Sequence, residues 1–413
     1  MSLFKPITNL NLSGSTTIAP DNQSVYITEI DAQKRFARCG EPLIATVCSD
    51  HTIKLVGKDS MSSRGQLTGH SGPVSGVSFA HRNPFTVFSS SRDGTVRCWD
   101  TRMKRNKAPQ VFTGYEGNSF TSFDINSTDD ILSAGTEAVD NDAYLMFWDR
   151  RSTNLLGTYK ESHSDDITQN NPFVIKQVKF HPTKSSSLAT GSTDGLVCVF
   201  DTSQTNEEDA LVTTLNAESS VSHIDWCGTN SEYLYCLTHT ETIRIFDAVE
   251  SSEITKFDSV RESLMEDLCK VDYLVDCFYH SGLKSLVVLG GTVSGDLHLL
   301  TVGRDRLHFV HSLKGTHKGV VRCLHWDDQT QTLITGGEDS VVSSWQPDRT
   351  ANQSSTKKST PAPTSRIRQG RRAEKRGSPV KGWSQCCWSC FQFFLSPGPN
   401  KPKPSVVITG QPV

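Results

Sequence analysis

No run of apolar residues in this chain approaches the roughly 20 that a membrane-crossing helix needs. The first residues, MSLFKPITNLNLSGS, have no apolar signal core and no small-residue cleavage pattern, so the expected product stays inside the cell, in the nucleus, the cytoplasm or both. GxSxG, HExxH and the phosphate-binding P-loop pattern are all absent. The glycine-rich LGGTVSGD, Leu289–Asp296, does not match a phosphate loop. No long segment repeats its apolar residues at the helical period. The 12 cysteines fall mostly singly on strand-like stretches, which suits reduced buried thiols rather than a disulfide framework. Together these absences argue against a membrane-helix protein, a secreted disulfide scaffold and the commonest motif-bearing hydrolases.

What the chain does have is a repeat. SSSRDGTVRCWDTR, residues 89–102, recurs as TGSTDGLVCVFD at Thr190–Asp201 and TGGEDSVVSSWQ at Thr335–Gln346. A weaker copy, TVCSDHTIKLV, runs from Thr46 to Val56. In each, a Ser or Thr precedes an Asp by four residues, and a large apolar residue follows six later. An Asp-Gly type turn between short alternating segments reads as a β-hairpin. The apolar anchors Val56, Trp99, Trp148, Phe200, Phe246, Leu300 and Trp345 are spaced by 43, 49, 52, 46, 54 and 45 residues. Seven all-β units near a 40–45-residue period predict a seven-bladed β-propeller over residues 1–350. A linear solenoid would need capping repeats, and none is visible.

Gly69-His70 followed by Trp99-Asp100 resembles the WD40 repeat, and the resemblance extends over about residues 1–350. It implies blades of four strands and a ring closed by a blade shared between the chain's two ends. After Trp345 no strand-like segment remains, and an unpaired edge is a liability. The segment PITNLNLS, Pro6–Ser13, is therefore expected to supply the missing outer strand.

His70, Ser89, Asp93 and Trp99 form one constellation. His317, Thr335, Asp339 and Trp345 form a second, and His163, Thr190 and Asp194 a third, with Phe200 in place of Trp. A Ser/His/Asp triad has to sit once, in a cleft, with an exposed nucleophile. A copy in each of three units is what bracing looks like. The resemblance implies a buried hydrogen-bonded tetrad, in which the indole N–H, a donor only, finds its acceptor. No catalytic residue, cofactor or metal is implied. The third constellation has 31 residues from His to Asp, where the others have 23 and 22. Removing Asn170–Gln177 restores 23, so an eight-residue insertion carrying Pro172 is expected there, in what would be a strand.

Propellers present loops on a rigid disc, so partners should be proteins or peptides. One rim is expected to carry Ser49, Arg92, Asn141, Thr193, His239, Val293 and Glu338, a set too mixed in charge to read as a nucleic-acid surface. The opposite rim carries Arg102 in WDTR and Arg151 in WDRR. In the WD40 family this WDxR pattern marks docking to the damage-binding adaptor of cullin-4 ubiquitin ligases, and here it occurs in successive blades. The simpler role for each arginine is to pair with its neighbouring Asp100 or Asp149.

Charge divides the chain. Residues 351–413 carry +10 and residues 1–350 carry −13. The tail is rich in Ser, Pro, Lys and Arg, and is expected to be disordered. Arg366, Arg368, Arg371, Arg372, Lys375 and Arg376 resemble a nuclear import signal or a nucleic-acid patch. Any nucleic acid would be bound through this tail alone. Beyond it, WSQCCWSCFQFFL holds a lone Cys387-x-x-Cys390, an incomplete zinc set.

Overall fold

Each anchor residue sits on the third strand of a four-stranded antiparallel sheet, and there are seven such sheets. The computed structural model describes residues 10–347 except 20–24, 38, 104–107, 139–141, 164–174, 259 and 261–269. The strands of each sheet are called a to d in chain order from the ring's inner wall outward, except that in the last blade strand d is the N-terminal Leu10–Thr17. Blade one is Ile27–Ala32, Leu43–Cys48, Ile53–Gly57 and Ser63–Leu67. The a strands of the next six blades are Val74–Phe79, Phe120–Ile125, Ile175–Phe180, Val221–Cys227, Tyr273–His280 and Val321–Asp327. Neighbouring a strands pack on one another, so they form the inner wall of a ring. The chain is a seven-bladed β-propeller. Leu289–Asp296 is the b strand end and b–c turn of blade six, as its register predicts.

The register is the same in every blade. Val56, Trp99, Trp148, Phe200, Phe246, Leu300 and Trp345 lie opposite Ile44, Val87, Leu132, Leu188, Leu234, Val288 and Leu333 on strand b. The core lies between blades. Phe88, Val96 and Phe112 of blade two pack against Phe120, Leu132 and Trp148 of blade three. Phe120 meets Trp148 edge to face at 5.5 Å between ring centroids. Burying each such side chain is worth roughly 1.5–3 kcal/mol, which is why a sheet hydrophobic on both faces stacks into a ring. In the Asp93-Gly94 turn of blade two, Gly94 has φ +74°, and a Cβ there would come within 2.8 Å of the Asn118 carbonyl.

The last blade is completed by the N-terminal segment, with strand order Leu10–Thr17, Val341–Pro347, Thr332–Gly337, Val321–Asp327. Within the described residues it takes up the expected Pro6–Ser13 segment at Leu10–Ser13 and runs on to Thr17. Leu12 pairs with Trp345, and pairing continues to Thr17 opposite Val341. The full length of the Val341–Pro347 edge sets the position, and Leu10 is its buried anchor. Residues 1–9 lie outside the described residues.

The inserted segment of blade four is shifted. Ile175–Gln177 belong to strand a, not to an insertion. Ile175 pairs with Ser192 as Val74 pairs with Ser91. His70 precedes Val74 by four residues, whereas His163 precedes Ile175 by twelve, so the eight extra residues lie between His163 and Ile175. The reason is packing. Ile175 is buried against blade three where Gly135 makes room; a Cβ on Gly135 would lie 2.6 Å from Ile175. Pro172 lies outside the described residues, as do Arg366, Arg368, Arg371, Arg372, Lys375 and Arg376.

Candidate functional site

The repeated Ser/His/Asp groups come together in the interior. In blade two the Trp99 indole donates to Ser89 Oγ at 2.8 Å, and Ser89 Oγ lies 2.8 Å from His70 Nε2. His70 Nδ1 lies 2.9 Å from Asp93, whose carboxylate also accepts from the Ser71 and Thr95 N–H groups and the Thr95 hydroxyl. A neutral imidazole protonated on Nδ1 satisfies the whole chain: indole to hydroxyl, hydroxyl to Nε2, Nδ1–H to carboxylate. Although burial alone would raise it, the His70 and Thr95 bonds hold the Asp93 carboxyl well below its usual range. Blade seven repeats the arrangement, with Trp345 Nε1 3.0 Å from Thr335 Oγ1, Thr335 Oγ1 2.9 Å from His317 Nε2, and His317 Nδ1 3.2 Å from Asp339. Blade four keeps His163 to Thr190 at 2.7 Å and to Asp194 at 2.9 Å, but Phe200 supplies no donor. The hydroxyls of Ser89, Thr190 and Thr335 are fully buried. A nucleophile with no access to substrate does no catalysis, and these groups brace the d–a loops against the b–c turns.

Blade three shows what happens without the hydroxyl. Ala134 stands where Ser89 stands in blade two, and the Trp148 indole instead reaches across to the Thr113 carbonyl at 3.1 Å.

The two WDxR arginines are near copies. Each lies just past the end of strand c, so both emerge on the same face, in adjacent blades. Arg102 donates from Nε at 3.0 Å and Nη2 at 2.6 Å to Asp100. Arg151 does the same to Asp149 at 2.9 and 2.7 Å. The side chains are 60% and 75% exposed, so the outer edge of each fork meets solvent. These hydrogen bonds lower the Asp100 and Asp149 carboxyls and raise the guanidinium groups. Arg102 also lies over the Phe85 ring at 4.4 Å.

On the opposite face, Ser49, Arg92, His239 and Glu338 each follow strand b and donate a backbone N–H to the segment entering strand a of their blade. Thr193 follows strand b in the same way. Val293 is 65% exposed and its N–H goes to Asp272 instead. Asn141 lies outside the described residues, and in blade three the equivalent backbone bond is made by Glu137, to Ser119. Counting back seven residues from Trp148 stops four short of Glu137 because the b–c loop of this blade is longer. Glu137 faces Arg92 at 3.5 Å, and Glu338 is engaged by Arg322. The rim is therefore partly self-neutralised.

Sequence reasoning missed the central channel. Its wall carries one equivalent residue per a strand: Asp31, Ser78, Asp124, Lys179, Asp225, Asp276 and His325. Each is the middle of an apolar–polar–apolar triplet such as Phe123-Asp124-Ile125 or Val178-Lys179-Phe180. That triplet is the signal that was available. Asp31 and Asp124 accept from the Phe79 and Phe180 N–H groups of the next blade at 2.7 Å, so they staple a strand to a strand. Burial pushes the Glu29, Asp124 and Asp225 carboxyls up, while Lys179 among them is held protonated by the surrounding carboxylates. Among the described residues no cluster of His, Cys, Asp and Glu has metal-holding geometry, and no helix is long and apolar enough to cross a membrane.

Comparison with known proteins agrees with this architecture. The WD domain, G-beta repeat family matches residues 61–100, 155–201 and 307–346. The WD repeat-containing protein 89 homolog of Dictyostelium discoideum is 30% identical over 305 residues, covering 73% of this chain and 79% of that protein. WD repeat-containing protein GTS1 of Arabidopsis thaliana is 29% identical over 334 residues, covering 75% of this chain and 79% of its own length. DDB1- and CUL4-associated factor 13 of Dictyostelium discoideum is 27% identical over 190 residues, 45% of this chain and 38% of that protein. With seven blades, repeated buried tetrads and these relatives, the chain belongs to the WD40-repeat β-propeller family.

Proposed function

We propose that this chain is a non-enzymatic interaction scaffold that docks to the damage-binding adaptor of cullin-4 ubiquitin ligases through Arg102 and Arg151 and holds other proteins as ligase substrates. The observation that carries the reading is the doubled fork: two exposed guanidinium groups, identically oriented by Asp100 and Asp149, on one face of adjacent blades. Arg is suited to this because its planar donors match interface carbonyls and carboxylates. Each aspartate holds its arginine in one rotamer, which lowers the entropic cost of docking. A relative whose name links it to DDB1 and CUL4 supports the same reading. The test is a pull-down of the adaptor with the full chain. Arg102→Ala with Arg151→Ala should abolish capture, and capture that is unchanged would overturn the proposal.

A second reading rests on the +10 tail: nuclear entry, followed by nucleic-acid binding through residues 351–381. It expects RNA or DNA binding that falls steeply with salt and disappears when that segment is deleted. Reporter fusions of residues 351–381 that stay cytoplasmic would count against nuclear entry.

A further inference from the structure

Between blades five and six, on the face that carries the WDxR arginines, lies a groove of about 540 Å³. Its floor is apolar, formed by Tyr233, Ile245, Leu286 and Val302. Ile254, half exposed on the d strand of blade five, forms one lip. Two hydrogen bonds tie the walls together across the blade boundary. Thr229 and Tyr279 meet through their hydroxyls at 3.2 Å, and Thr255 Oγ1 donates to the Arg304 carbonyl at 3.2 Å. The groove is thus preformed, of ligand-binding size, and mostly apolar with a few placed polar groups, the usual character of a binding site.

The charge at this groove runs against that of the body. Residues 1–350 carry −13 in total, yet Lys284 and Arg304 stand exposed at the rim, and neither is in an ion pair among the described residues. The lining has one carboxylate, Glu232, and its oxygen is turned onto the Asn230 N–H of its own loop at 2.7 Å. An apolar trough flanked by two unpaired cations, on an otherwise acidic disc, complements one kind of occupant. We infer that this groove binds an acidic linear peptide that inserts one large apolar side chain between carboxylates. The apolar residue fills the Tyr233–Leu286 floor, and the flanking Asp or Glu residues meet Lys284 and Arg304. Because the groove lies on blades five and six, away from Arg102 and Arg151 on blades two and three, this inference does not depend on the adaptor reading.

The test uses the full chain and a phage-displayed library of random 12-residue peptides. Enriched peptides should share an aromatic or branched aliphatic residue next to Asp or Glu. The best of them, synthesised with a fluorescent label, should lose about tenfold or more in affinity, read by anisotropy, with Ile254→Asp or with Lys284→Glu plus Arg304→Glu. The charge variant should also flatten the salt dependence of binding. All three residues are solvent-facing, so these variants should fold, and an unchanged melting temperature checks that they do. Arg102→Ala with Arg151→Ala should bind the peptide as well as the parent does, which separates the two proposals. Enriched peptides without the acidic-apolar signature, or binding that survives both groove variants, would overturn the inference.

Discussion

Trp99→Phe asks whether the repeated constellation is a coupled brace. The indole N–H is buried and donates to a hydroxyl at 2.8 Å that is itself fully buried. Losing that bond costs about 1 kcal/mol, since Ser89 Oγ–H keeps His70 as its acceptor. The smaller ring leaves roughly 40 Å³, which at about 24 cal/mol per Å³ adds ~1 kcal/mol. The sum is about 2 kcal/mol. Ser89→Ala should cost about 3 kcal/mol, because it strands both the indole donor and the imidazole Nε2 in the interior. The double variant should cost less than the sum by about 1–2 kcal/mol, because an indole without its acceptor has no bond left to lose. Urea unfolding followed by circular dichroism measures all three, with m-values compared to confirm that only stability changed. Additivity within about 0.3 kcal/mol would refute the brace as a network. Trp345→Phe in blade seven should repeat the result, since the Thr335 geometry is the same.

Deleting residues 1–17 removes the partner of Val341–Pro347, uncovers Trp345 and discards buried Leu10. Calorimetry should show loss of a single sharp transition, light scattering should show association through the bared edge, and added peptide 10–17 should reverse both. His181 and His280 each accept backbone N–H groups on Nδ1, and burial lowers both. Their folded values lie below the unfolded value of about 6.5, so the stability they give is present above that pH and is lost as pH falls through the folded values. The urea midpoint should drop from pH 7 toward pH 5, and less steeply in His181→Gln with His280→Gln. Lys179→Met leaves the raised carboxyls of Asp124 and Asp225 without their counter-charge. It should destabilise by about 2 kcal/mol at pH 8, a figure reduced from the buried-pair range because the channel is polar, and recover toward pH 5 as those carboxyls take up protons. Among the described cysteines, Cys39 should alkylate fastest in the native state, since the others are buried and their burial pushes Cys48, Cys98 and Cys236 up to about 11, 11 and 12.

The fold was legible because one spacing is held rigidly. The large anchor lies on a b–c hairpin whose turn fixes the interval in every blade but the third, so even Val56 and Leu300, chemically far from tryptophan, fall in phase. Intervals that cross loops were less reliable. Asn141 was misplaced because blade three lengthens its b–c connection, and the insertion of blade four was set too late because sequence cannot see Gly135 yielding space to Ile175. The arginine forks were legible both as residues and in their pairing with Asp100 and Asp149, because each partner lies only two residues away in the sequence. The groove of blades five and six was not legible at all. Its lining comes from two a–b loops, a c–d turn and strand interiors, brought together only by the stacking of one blade on the next.

The shared last blade also sets a clock. Ser13 and Ser344, hydrogen-bonded in the finished ring, are 331 residues apart. At the usual synthesis rate of about 5–20 residues per second, the first strand waits roughly 17–66 seconds on the ribosome for its partner to be made. During that wait it is a lone strand with no sheet to join. Its composition, LNLSGSTT, suits the delay: one apolar anchor is buried at the end, and the rest is mostly small and hydroxylated, a poor nucleus for aggregation.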